Sequence, residues 1–236
     1  MRLTALRQAL WHAAGIHDAD VGRMVGRYPR VVCGDVSTSV SAKLQALSAG
    51  LPGADLKRLL ESNPQLLSLD AEATVVRRAQ LLARLLPTCD ILRMCEVHPA
   101  LLTVSVERTV APALAVLTNV LELHGIPCGS ITPHLVAQAA PRLLTTAPAT
   151  LRARAAQLEY HAPGSIAAMQ GTPAGLGRLL CASQRALHRI GYVHATAPDA
   201  GLGPVRIVTM PTAAFATRFP GFEKWCQDIL SSTSSL

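Results

Sequence analysis

The chain has 236 residues, half of them apolar, yet only 3% aromatic and 16% charged. That length can bury one large core or two small ones, and the charged fraction falls short of the quarter usual for globular domains. No apolar run reaches the roughly 18–20 residues of a membrane span, because the best stretch, 109–121, is cut by Pro112 and closed by Glu122; no membrane role is expected. The net charge is +7 and 19 of the 22 cations are Arg, whose planar fork suits phosphate, so the excess leans toward nucleic acid. Six scattered cysteines without a Cys-x-x-Cys pair are expected to be reduced thiols in a non-secretory compartment.

The N-terminal stretch MRLTALRQALWHAAG carries two Arg and no acid before Asp18; it leads straight into a repeat and reads as a structural helix. The repeat is marked by YPRVV at Pro29, NPQLL at Pro64, HPALL at Pro99 and APRLL at Pro141, with LGRLL placing Gly177 where a fifth proline would stand. The intervals of 35, 35, 42 and 36 residues are those of a solenoid array. Six residues after the marker come Asp35, Asp70, Ser105 and, in the fifth copy, Ser183, all helix N-cap types. An apolar stripe follows each cap: Val40, Leu44, Leu47, Leu51; Val75, Ala79, Leu82, Leu86; Val110, Leu114, Leu117, Leu121; and, one residue sooner, Leu151, Ala155, Leu158. The spacing i, i+4, i+7, i+11 is one face of an α-helix. Upstream of each marker lies a shorter helical stretch, such as ADLKRLLES, preceded by a Gly-apolar or Leu-Pro break. Each copy therefore reads as a short helix, a proline-initiated turn and a longer helix, with Pro-x-Leu-Leu as scaffold.

The tetratricopeptide and ankyrin patterns are absent. The Pro-x-Leu-Leu beat, with three helical pieces per copy, resembles the mitochondrial transcription termination factor (mTERF) family from about residue 9 to 228. LLCASQRALHRIGY and VTMPTAAFATRFPGFEKW look like that family's last repeat and closing helices, with Phe215, Phe219, Phe222 and Trp225 sealing the end. The expected fold is an all-α superhelical solenoid of about five three-helix repeats, with cores near 15–50, 51–86, 87–124, 125–162 and 163–195. A helical cap at 205–228 and a flexible tail at 229–236 complete it. The stretched interval of 42 and the missing fifth proline depart from the pattern.

No catalytic constellation, cofactor motif or metal site is evident. Gly201-Leu202-Gly203-Pro204 has no preceding strand and no following Lys-Ser/Thr, so it reads as a turn rather than a phosphate loop. His124, Cys128 and His134 match no common zinc spacing, and the carboxylates are dispersed. The cations recur in register instead. Arg30, Arg142 and Arg178 follow the marker; Lys43, Arg77, Arg78, Arg108, Arg152, Arg154, Arg185 and Arg189 fall near the start of the long helices. Repetition of geometry lines equivalent positions up along one surface, and between Arg142 and Arg189 six Arg face only Glu159. The resemblance implies that such residues meet nucleic acid. With few aromatics to stack on bases, backbone recognition of a helical duplex is expected. Three readings stay open: structured RNA such as rRNA, in an organellar ribosome or RNA assembly with other proteins; duplex DNA, in control of organellar transcription; and a protein-interaction scaffold. The resemblance implies a mitochondrial address, with the chloroplast as alternative.

Overall fold

The computed structural model describes residues 2–32, 36–126 and 131–233. Among them every regular element is helical, and no helix is long and apolar enough to cross a membrane. The chain divides into two compact units, Met1–Ala111 and Pro112–Leu236.

The first unit contains α1 (Arg2–Ala14), α2 (Asp18–Arg27), α3 (Val36–Gly50), α4 (Leu56–Ser62), α5 (Arg77–Leu85) and α6 (Ile91–Val97). Single 3-10 turns, Pro29–Val32, Pro64–Ser68 and Pro99–Leu102, follow α2, α4 and α6. Like packs on like: α2 on α4 and α4 on α6, α1 on α3, the turn at Pro29 on the turn at Pro64. This nearest-neighbour stacking is what a 35-residue period requires, since one copy alone cannot bury its apolar face. Pro64 and Pro99 open their turns at positions where a missing N–H has no partner to lose. The preceding residues, Asn63 (φ −142°, ψ 79°) and His98 (φ −138°, ψ 77°), leave the helical region, as a following proline ring demands. The proline thus ends one helix and starts the next turn, and Leu66, Leu67, Leu101 and Leu102 after it are buried.

The four stripes read from the sequence are buried at every position. Asp70 Oδ1 accepts the Ala73 N–H at 2.6 Å and Ser105 Oγ the Arg108 N–H at 3.1 Å, so both cap as expected; Asp35 lies outside the described residues. The start of the long helix differs between copies. In copies two and three the long helix opens with a π turn, Ala71–Val76 and Val106–Val110, in which the Val75 N–H reaches back five residues to Asp70 O at 3.2 Å. A π turn absorbs one extra residue, but the long helices Val36–Gly50 of the first copy and Pro148–His161 of the fourth are both α-helical, so the π turn does not by itself set the position of the stripe.

The second unit contains α7 (Ala111–Leu123, beginning on the last residue of the first), α8 (Pro133–Ala139), a 3-10 turn at Pro141–Thr145, α9 (Pro148–His161) and α10 (Pro173–Cys181). It continues through α11 (Gln184–Thr196), α12 (Pro204–Thr209), α13 (Thr212–Arg218) and α14 (Phe222–Thr233). Here α10 packs on both α8 and α12, while α11 packs on both α9 and α14. Copy five departs from the short-helix-then-turn pattern: with Gly177 in place of proline nothing interrupts α10, and the helix runs through the marker. Gly177 is needed for another reason, because a Cβ there would lie 2.6 Å from Ala140 Cβ, in α8's C-cap. Ser183 caps α11 through the Ala186 N–H at 3.2 Å. Phe215, Phe219 and Phe222 are buried and pack edge-on or tilted with one another and with Tyr192. The three phenylalanines thus form an aromatic plug as the sequence suggested, while Trp225 stays half-buried against Tyr192 and Phe222. α14 continues to Thr233, into the expected tail, and residues 234–236 lie outside the described residues.

Candidate nucleic-acid interface

The eleven cations singled out above separate into two kinds. Seven are exposed: Arg30 in the turn at Pro29, Arg77 at the start of α5, Arg108 in the π turn, Arg142 in the turn at Pro141, Arg152 on α9, Arg178 on α10 and Arg185 on α11. Four are turned into the fold. Lys43 Nζ donates to Leu67 O at 2.8 Å, Arg78 Nη1 to Leu102 O at 2.9 Å and Arg154 Nη1 to Leu180 O at 3.2 Å. Arg189 is only 6% exposed; it donates to Met210 O and Thr212 Oγ1, both at 2.9 Å, with its guanidinium 4.7 Å above the Phe215 ring.

Helical phase explains the division. Lys43, Arg78 and Arg154 sit three residues after Val40, Val75 and Leu151, which places them beside the buried stripe on the same face. Arg77 and Arg152, one and two positions earlier, fall about 100° and 200° away. Arg84, two turns beyond Arg77, is exposed too. The sequence reading missed it because it stands at the far end of α5, away from the register row.

Charge pairing differs between surfaces. On the short helices of the first unit three cations carry their own carboxylates, Arg23 with Asp20, Lys57 with Glu61 at 3.8 Å and Arg93 with Glu96 at 3.2 Å. Arg27 donates to the Glu61 carbonyl at 3.0 Å, and Arg58 is exposed without an ion pair among the described residues. Glu107 stands near Arg77 and Arg78; its carboxyl lies below the ordinary value, held there by its own backbone N–H, then the Ser105 hydroxyl, and then those two arginines. In the second unit Arg142, Arg152 and Arg178 meet no carboxylate among the described residues. Glu159, the one acid in that stretch, is committed elsewhere: its oxygens accept the Gly164 N–H at 2.8 Å and the Ile166 N–H at 2.9 Å, and His124 Nδ1 lies 3.8 Å away. Arg185 is the exception, paired with Glu223 of α14.

Arg142 and Arg154 lie close enough for both charges to act on the Cys181 thiol. Burial pushes that thiol's pKa up, and the two arginines pull against it. Arg178 is one turn before Cys181 on α10, so the turn at Pro141, α9 and α10 bring cationic groups to one neighbourhood. Exposed guanidinium groups without internal partners can give bidentate, charge-assisted bonds to phosphate oxygens.

Among the described residues no group of three or more His, Cys, Asp or Glu could hold a metal ion. Cys95 and Cys226 are buried, Cys89 and Cys181 are half-buried, and all four are free thiols; Cys33 and Cys128 lie outside the described residues. The mTERF family model matches residues 9–121, the region of the first three copies. No curated protein and no solved structure matches the chain.

Proposed function

We propose that this chain, a member of the mTERF family through its domain at residues 9–121, grips the sugar-phosphate backbone of structured RNA, such as an rRNA helix, as part of an organellar ribosome or RNA assembly. The family is one of organellar nucleic-acid-binding helical-repeat proteins and is generally non-enzymatic. The observation that carries the reading is the trio Arg142, Arg152 and Arg178, exposed and without carboxylate partners among the described residues, while Glu159 is held by loop N–H groups. Such a surface binds by counterion release, with little preference for base sequence. The cap's phenylalanines are buried against one another, which removes them as base-stacking platforms and favours a duplex read through its backbone.

Two features support RNA over DNA. The chain is poor in charge for its size, as suits a surface covered in a permanent assembly, and five copies offer little length for wrapping DNA. A mitochondrial address is proposed on the same grounds as the family assignment. Gel-shift competition tests the reading: an rRNA helix should displace bound probe at lower concentration than duplex DNA of equal length. Preference for DNA would shift the function to transcriptional control, and no competition by either would leave a protein scaffold. Co-sedimentation with organellar ribosomal subunits that survives high salt is the second expected result.

A further inference from the structure

Lys43, Arg78 and Arg154 share more than an inward phase. Their acceptors, Leu67 O, Leu102 O and Leu180 O, are each the third residue after the repeat marker, Pro64, Pro99 and Gly177. Each cation therefore reaches from the long helix of one copy to the same carbonyl of the next. That carbonyl is at the end of a helical segment, where the last C=O groups have no donor within the helix and favour a positive charge. A half-buried cation there satisfies an acceptor that would otherwise be stranded. The end of the array uses the same device, because Arg189 bonds Met210 O, the C-cap of α12.

The consequence is clearest in the second unit. Arg154 follows Arg152 by two residues on α9, and its acceptor Leu180 follows Arg178 by two residues on α10. The bond thus joins the two helices beside the two exposed arginines. We propose that Lys43, Arg78 and Arg154 are positioning residues: each pins its long helix to the following copy and sets the spacing between exposed arginines on successive copies. This rests on the phosphate-binding reading above. A preset spacing lets several phosphates be met without reorganisation at the moment of binding.

The test uses the full chain with an A-form RNA duplex, well below the melting temperature, and the variants Arg154→Met, Arg154→Lys and Arg152→Met. Arg154→Met should weaken binding about tenfold through lost preorganisation while leaving the salt dependence unchanged. It should also speed amide exchange near Leu180 in the free protein. Arg154→Lys should restore affinity to within about threefold, as Lys43 shows that an ammonium can make this bond. Arg152→Met should instead lower the slope of log K against log salt by about one, the mark of a lost phosphate contact. A slope loss for Arg154→Met would make Arg154 a direct contact, and unchanged affinity with faster exchange would make it structural only; either overturns the proposal. If the unaltered chain fails to bind duplex, the phosphate reading and the positioning role fall together. Unchanged exchange near Leu180 would instead show that the bond itself does not hold the helices, whatever the ligand.

Discussion

The two units share one repeat and spend their charges differently. In the first, three of the five cations on the short helices are paired with carboxylates, Arg23 with Asp20, Lys57 with Glu61 and Arg93 with Glu96. In the second, the short helix α8 has neither Asp, Glu, Lys nor Arg, and α10 has Arg178 alone. Exposed ion pairs contribute little to stability, so the pairs of the first unit matter for the field they cancel. A Debye length of roughly 8 Å at physiological salt confines what an arginine offers to its immediate surroundings. Where a carboxylate stands there, the local field is largely neutral; where none does, phosphate is the natural counter-ion. The repeat scaffold is common to both units, and the proposed function rests on how its arginines are partnered.

The largest effect should come from that common scaffold. Leu102→Ala in the first unit and Leu144→Ala in the second remove side chains that are both fully buried, and each should cost about 2–5 kcal/mol in denaturant unfolding. A large loss in one and none in the other would break the equivalence of the copies. Gly177→Pro sharpens the contrast inside the repeat. Proline opens the turn in the other copies, but here it would interrupt a continuous α10 and crowd Ala140, at a cost of about 3 kcal/mol. Stabilisation by this change would show that α10 is broken at the marker after all.

A smaller, pH-dependent effect belongs to the second unit. The His161 and His188 rings lie 5.5 Å apart, and His194 Nδ1 is 3.0 Å from His161 O. Burial lowers the His161 pKa, with His188 and His194 adding repulsion, and burial lowers that of His188. Both folded pKa values sit below the ordinary 6.5, so the unfolded chain binds protons first as pH falls. Stability should hold above pH 6.5 and decline below it, until the folded-state values are passed. The double change His161→Gln and His188→Gln should flatten thermal-melt profiles between pH 7.5 and 5.5; an unaltered decline would place the titrating groups elsewhere. The smallest effect is predicted for the paired cations of the first unit. Arg23→Ala with Arg93→Ala should change RNA affinity by less than about twofold, and a loss comparable to that from unpaired arginines would erase the distinction between the units.

Much of the architecture was legible because it repeats. The 35-residue interval, the stripes at Val75 to Leu86 and Val110 to Leu121, the caps Asp70 and Ser105 and the aromatic plug each follow from local spacing. The π turns were not visible in the sequence, since an i to i−5 bond leaves no composition signal of its own. The caps of the short helices, Asp55 to the Arg58 N–H and Asp90 to the Arg93 N–H, both at 2.9 Å, were in the sequence but went unread. The cation row was half legible. Register located Arg77 with Arg78 and Arg152 with Arg154, but a step of one or two residues turns a side chain by 100° or 200°. Counting from the buried stripe would have put Lys43, Arg78 and Arg154 at its edge. What no spacing reveals is the acceptor some 24 residues ahead, or the loop N–H groups that occupy Glu159, because both depend on how copies stack.

The most direct measurement is the salt dependence of RNA-duplex binding by the full chain, compared with the triple variant Arg142→Ala, Arg152→Ala, Arg178→Ala. If those three side chains meet phosphate, log K falls linearly with log salt in the unaltered chain, and the variant's slope is shallower by about three. Equal slopes, or binding indifferent to salt, would contradict the account.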